Sequence, residues 1–259
     1  MIRFGINTFL FASPFRTKDL PFLDQAKAMG FDLVEIPIEG EKDLDYVKAA
    51  EAYRRTGLRS SICAVMGARR DPSHPDTAVQ KGAISYMKHC IDAAVTLGSP
   101  VVAGPLYAAV GRTWQSSASQ RARDLARCAK NLKVVARYAE DHGVQLALEP
   151  LNRFETSFIN LTDQAIELAD MIGSPAVKLK MDTFHANEND RGTPGSGHVS
   201  WDEIGPALKQ VGFDGALVIE SFSTSVKQIA RAAAVWRPLA ASPEALARGG
   251  LSFLKKLMA

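Results

Sequence analysis

The chain has 259 residues, 46% of them hydrophobic, with 31 basic and 28 acidic side chains and a net charge of +3. That length suits one α/β barrel domain with a large buried core. The near-balanced, scattered charge gives no nucleic-acid or membrane-surface footprint, and no apolar run reaches the roughly 18 residues a membrane helix needs. Cys63, Cys90 and Cys128 match neither a disulfide framework nor a zinc motif. The opening residues carry no secretory pattern, so a reducing, cytoplasmic setting is expected.

Short apolar segments alternate with amphipathic ones along the whole chain. Residues 4–10 read as a strand, 20–29 as a helix, 33–38 as a strand and 44–55 as a helix. The alternation continues with strands at 59–65, 100–106 and 144–150, and helices at 77–97 and 120–142. Then come a helix at 162–171, a strand at 177–183, a helix at 201–211, a strand at 216–222 and a helix at 225–235. A last helix falls within 243–257. The strands are dense in Val, Ile, Leu and Ala, as strands buried on both faces are. Gly30, Gly57, Gly98, Gly143, Gly173 and Gly212 each stand just past a helical segment, where a left-handed cap belongs. Alternating strands and helices imply parallel pairing through right-handed crossovers. No linker divides residues 1–259, so a single TIM-type (β/α) barrel domain is expected. Seven strands are recognisable, one fewer than a closed eight-stranded barrel contains.

Barrels of this kind carry their chemistry at the C-terminal strand ends. Three carboxylates stand there. Glu149 closes Leu146-Ala147-Leu148-Glu149, Asp182 follows Leu179-Lys180-Met181, and Glu220 closes Leu217-Val218-Ile219-Glu220. Acidic groups ending apolar runs are costly to bury unless paired or metal-bound, and converging carboxylates repel one another unless a cation neutralises them. Oxygen ligands with one histidine suit Mn²⁺, with Co²⁺ or Mg²⁺ as alternatives, better than structural zinc. The bland reading of any one carboxylate is a helix cap or a loop ion pair.

Other residues remain open between two uses. His185, three residues past Asp182, fits a ligand, a substrate donor or a plain loop residue. Arg191, in the Gly/Pro-rich stretch 186–200, either folds over a pocket or sits solvated. Glu155 binds a sugar hydroxyl or caps the next helix; Trp114 forms a hydrophobic wall or packs ordinarily. Lys178 and Lys180 alternate with apolar neighbours and have no assigned use.

At these residues the chain resembles the ketose 3-epimerases, the D-tagatose, D-allulose (psicose) and L-ribulose 3-epimerase group of xylose isomerase-like barrels. The matching motifs are Gly5-Ile6-Asn7-Thr8, Gly104-Pro105-Leu106-Tyr107, Leu148-Glu149-Pro150-Leu151-Asn152-Arg153-Phe154-Glu155-Thr156, Met181-Asp182-Thr183-Phe184-His185 and Val218-Ile219-Glu220-Ser221-Phe222. The stretch from Ala186 to Gly195 matches as well. The resemblance implies a small free ketose as substrate, and a homodimer or homotetramer. It implies a divalent metal bound by two glutamates, an aspartate and a histidine. Glu149, Asp182 and Glu220 match the three acids. Glu149 and Glu220 also match the acid/base pair that inverts C3 through an enediolate. Glu155, His185 and Arg191 match residues that hold the sugar's oxygens.

In that family a helix and a strand carrying the metal-binding histidine separate the Asp-Thr-Phe-His motif from the following loop. Here Ala186 follows His185 directly, so the seventh βα position of the family is expected to be missing. Two alternatives accompany the epimerase reading: an aldose–ketose isomerase of hydroxypyruvate or tetrulose type, and an inactive or deletion variant of the fold.

Overall fold

The computed structural model describes residues 2–187, 191–233, 235 and 237–259. Glu188, Asn189 and Asp190 of the loop motif lie outside the described residues. The chain forms two compact units, Ser61–Ala186 and a second built from Met1–Ser60 with Asn187–Ala259.

The unit formed by the two chain ends holds β1 (Arg3–Asn7), α1 (Phe22–Met29), β2 (Leu33–Ile38) and α2 (Tyr46–Thr56). From the C-terminal segment it takes α7 (Trp201–Gln210), β7 (Ala216–Ile219), α8 (Lys227–Ala232) and α9 (Pro243–Met258). β1 lies between β2 and β7 and pairs in parallel with both, setting Gly5 beside Leu33 and Val218. Residues 4–10 were expected as one strand, but β1 ends at Asn7. The Asn7 carboxamide oxygen accepts the Phe9 N–H at 2.9 Å and turns the chain into a short 3₁₀ helix, Thr8–Leu10.

The Gly/Pro-rich stretch 186–200 was left open between folding over a pocket and sitting solvated. Its glycine-rich core packs against α9. A Cβ on Gly250 would stand 2.8 Å from Ile219 and 2.9 Å from Pro194, so only glycine permits this approach. Trp201 meets Phe253 edge to face at 5.4 Å between ring centroids.

The central unit contains most of β3 (Arg59–Ala64), then α3 (Thr77–Leu97), β4 (Val101–Gly104), α4 (Ala118–Asp141), β5 (Gln145–Leu148), α5 (Thr162–Ile172) and β6 (Val177–Leu179). Its strands pair in parallel in chain order: β3 with β4, β4 with β5, β5 with β6. Asp45, Asp76 and Ser117 accept backbone N–H groups at the N-termini of α2, α3 and α4, and Gly30, Gly57, Gly98 and Gly173 are the left-handed caps expected after their helices.

All seven expected strands are among the described residues. Between β6 and β7 the described residues hold α7 and a short α6 (Thr183–Asn187) but no strand, as the shortened motif implied. The strand expected to reach residue 183 stops at Leu179. Asp182 Oδ1 accepts the Phe184 N–H at 2.8 Å and that of His185 at 3.4 Å, which starts α6 instead.

Candidate active site

Glu149 follows directly on β5 and is 3% exposed. Its N–H donates to the Gly104 carbonyl at 3.1 Å, extending the β4–β5 ladder by one step. Gly104 has φ +136°, and a Cβ there would sit 2.7 Å from the Ala64 carbonyl oxygen. Three strand ends thus crowd together only because this residue lacks a side chain. Tyr107 fastens the segment beyond Glu149: its hydroxyl accepts the Leu151 N–H at 3.2 Å and donates to the Ile159 carbonyl at 3.0 Å. Burial pushes the Tyr107 phenol well above its ordinary value, so it stays protonated and keeps that donor.

The Glu149 carboxylate lies beside Asp182 and His185. One ligand atom from each falls within 4.8 Å of the others, and Glu149 is the buried member. Lys180 also reaches this carboxylate, with its ammonium 3.1 Å from Oε1. An acid this deeply buried needs a partner of opposite charge, and Lys180 supplies one.

His185 is held by the Asn152 turn. Its Nδ1 accepts the Asn152 backbone N–H at 3.2 Å and lies 2.9 Å from the Asn152 carboxamide nitrogen. A neutral imidazole accepting at Nδ1 carries its proton on Nε2 and so presents an N–H donor. Asn152 serves twice more. Its Oδ1 accepts the N–H groups of Phe154 and Glu155 at 2.9 and 3.1 Å, and its Nδ2 donates to Glu155 Oε1 at 3.0 Å. Glu155 is therefore tied to Asn152 and lies 3.8 Å from His185 Nδ1. The α5 N-terminus uses Gln164, whose side chain takes the Asn160 and Leu161 N–H groups. That helix end is thus capped by Gln164 and not by Glu155.

Sequence reasoning passed over Asn152, although an Asn three residues before an acid is a recognisable side-chain turn. It also missed the buried network around Arg112. Arg112 Nη2 meets Asp124 at 2.6 Å, and Nη1 donates to Ser73 at 2.7 Å. Gly111 N–H donates to the Glu155 carbonyl at 2.8 Å, so this network braces the Asn152 turn from behind. Trp114 is 56% exposed in the same loop and, with Arg112, Arg121 and Phe158, lines a cavity of about 190 Å³.

In the other unit, Glu220 follows directly on β7, where the strand-end pattern put it. Arg191 is buried, not solvated: its Nη1 lies 3.7 Å from Glu220 Oε2 and 3.5 Å from the Glu220 carbonyl. Its guanidinium stacks 4.9 Å from the Phe222 ring centroid, and its own carbonyl accepts the Ser221 hydroxyl.

A strand-end acid beside a second acid and an imidazole, on parallel β/α units, places candidate chemistry at the strand ends, where α/β barrels carry it. Residues 23–193 match the model of the xylose isomerase-like TIM barrel family, and the chain belongs to that family. It is similar to a probable ketose 3-epimerase of Synechocystis sp., 28% identical over 98% of this chain and 96% of that one. It is also similar to a ketose 3-epimerase of Arthrobacter globiformis, 29% identical over 90% of this chain and 88% of that one. Among solved structures, an L-ribulose 3-epimerase superposes with a TM-score of 0.92 at 28% identity, covering 100% of this chain and 95% of that one.

Proposed function

We propose that the chain is a metal-dependent ketose 3-epimerase acting on a free ketose of the D-tagatose, D-allulose/D-fructose or L-ribulose class. The observation that carries this reading is the buried Glu149 carboxylate at the end of β5, grouped with Asp182 and His185. Relatives bearing the ketose 3-epimerase name over nearly the whole length support it.

The residues fit a hard divalent cation: carboxylate oxygens of Glu149 and Asp182 lie within 4.8 Å of one another, with a His185 ring nitrogen as near. Glu149 and Asp182 would hold the ion, and Glu220 is the third acid in the resemblance. Mn²⁺ is the ion of choice, with Co²⁺ or Mg²⁺ as alternatives. Such an ion supplies electrophilic stabilisation of the negative charge that builds on the sugar's oxygens.

The remaining work belongs to the side chains. A C–H beside a ketone is weakly acidic, so a base must be aimed at it. Glu149 and Glu220 take the acid/base roles the resemblance gives them: one removes the C3 proton and the other returns one with inversion. His185 Nε2–H donates to a sugar oxygen, with Asn152 fixing the ring that makes it a donor. Glu155 and Arg191 are assigned to the other sugar oxygens, and Trp114 to an apolar wall. The same reading makes the protein a cytoplasmic homodimer or homotetramer with no nucleic-acid or membrane partner. Among the described residues no helix is long and apolar enough to cross a membrane.

The test is product identity. Incubation with Mn²⁺ and D-fructose, D-tagatose or L-ribulose should yield the C3 epimer of at least one sugar. An aldose as the sole product would point to an aldose–ketose isomerase and contradict the proposal.

A further inference from the structure

Lys180 has no role in the chemistry described above, yet it touches the centre of it. The β5–β6 register pairs Ala147 with Lys178 and Leu148 with Leu179, so the next step brings Lys180 level with Glu149. The Lys180 N–H donates to the Leu148 carbonyl at 2.8 Å and fixes that step. Its ammonium then sits 3.1 Å from Glu149 Oε1, with the two side chains 18% and 4% exposed. The contact is thus set by strand register, not by a chance rotamer at the surface.

A carboxylate oxygen that holds an ammonium is using the lone pairs a divalent ion needs. A positive charge that close also opposes the arrival of a second cation, the more so in a poorly solvated site. Lysine's four-carbon stem can swing the ammonium towards water, so the contact is exchangeable.

We propose that Lys180 is a resident counter-cation of the candidate centre. It holds Glu149 while no divalent ion is bound and competes with that ion for the same carboxylate, thereby lowering metal affinity. The inference rests on the metal-dependent reading above and assigns Lys180 a positioning role, not a catalytic one.

The experiment uses the full chain, stripped with a chelator and titrated with Mn²⁺ by calorimetry and by the electron paramagnetic resonance of free Mn²⁺. Lys180→Met and Lys180→Gln are compared with the parent, and Lys178→Met, at an exposed lysine two residues earlier on β6, controls for net charge. Both Lys180 variants should bind Mn²⁺ about 10- to 100-fold tighter than the parent, the range through which residues behind metal ligands tune affinity. When stripped they should melt below the stripped parent, because Glu149 loses its contact with the Lys180 ammonium, and they should gain more on adding Mn²⁺. Lys178→Met should bind as the parent does. Unchanged or weaker binding in the Lys180 variants overturns the proposal, as does an equal gain in Lys178→Met. If one Lys180 variant fails to fold, the other decides. A chain that binds Mn²⁺ and turns over no ketose removes the epimerase reading and leaves the affinity comparison decisive for Lys180. Absence of Mn²⁺ binding in parent and variants alike removes both.

Discussion

Glu149 concentrates the demands placed on a single residue in this molecule. It is 3% exposed, within 3.1 Å of the Lys180 ammonium and held at its backbone by Gly104. Glu149→Gln keeps the shape and removes the proposed base, so on the proposed function kcat should fall by roughly 10² to 10⁴ under saturating ketose and metal. Steady-state kinetics on a variant shown by circular dichroism to be folded would check this. That an acid stood here was legible in the sequence, because a charge closing Leu146-Ala147-Leu148 is expensive without a purpose. Its pairing with Lys180 was not legible: two alternating lysines look alike until strand register brings one level with Glu149.

Glu39 offers a pH prediction at the same scale. Burial raises its carboxyl above the ordinary value of 4.5, against the opposing pull of hydrogen bonds from Ser13 at 2.9 and 2.8 Å. The folded chain therefore binds this proton more readily than the unfolded chain. Stability from Glu39 is highest below pH 4.5 and declines as pH rises through the raised folded value. Glu39→Gln should melt higher than the parent at pH 7, with the gap closing near pH 4. Thermal melts at the two pH values test it; a gap that is the same at both refutes the assignment.

Among the elements, the strand ends and the loops behind them decide whether the site keeps its shape. Gly104→Ala would force a side chain against the Ala64 carbonyl at a left-handed φ of +136°. The expected cost is about 1–3 kcal/mol, and activity should fall as well because Gly104 anchors Glu149. Denaturant unfolding and kinetics on one preparation would show both effects together. Asp124→Ala would leave the buried Arg112 charge without the carboxylate 2.6 Å away. Its cost should be about 3–5 kcal/mol, read from the same unfolding curves.

The elements themselves were readable because their signals are local. Apolar strand runs, helical periodicity and a glycine just past six of the helices need no knowledge of distant residues. Strand limits were set too long at residues 8–10 and 180–183 because Asn7 and Asp182 side chains capture nearby N–H groups and begin helical turns there. The Arg112–Asp124 network and the seating of the 193–195 loop against α9 join residues far apart in sequence, and periodicity carries no trace of them.

For the molecule as a whole, the chain keeps the xylose isomerase-like TIM barrel fold with seven described strands. The family's histidine-bearing unit, placed by the resemblance between the Asp182 motif and the next loop, is absent among the described residues. On the proposed function, this chain still abstracts a proton from C3 of a free ketose. Solvent exchange reads that step directly. With Mn²⁺ and a ketose substrate in D₂O, proton NMR should show deuterium entering at C3 as the epimer forms, and Glu149→Gln should abolish it. Deuterium at C1 alone, or a ketose that leaves the reaction unlabelled, would contradict the account.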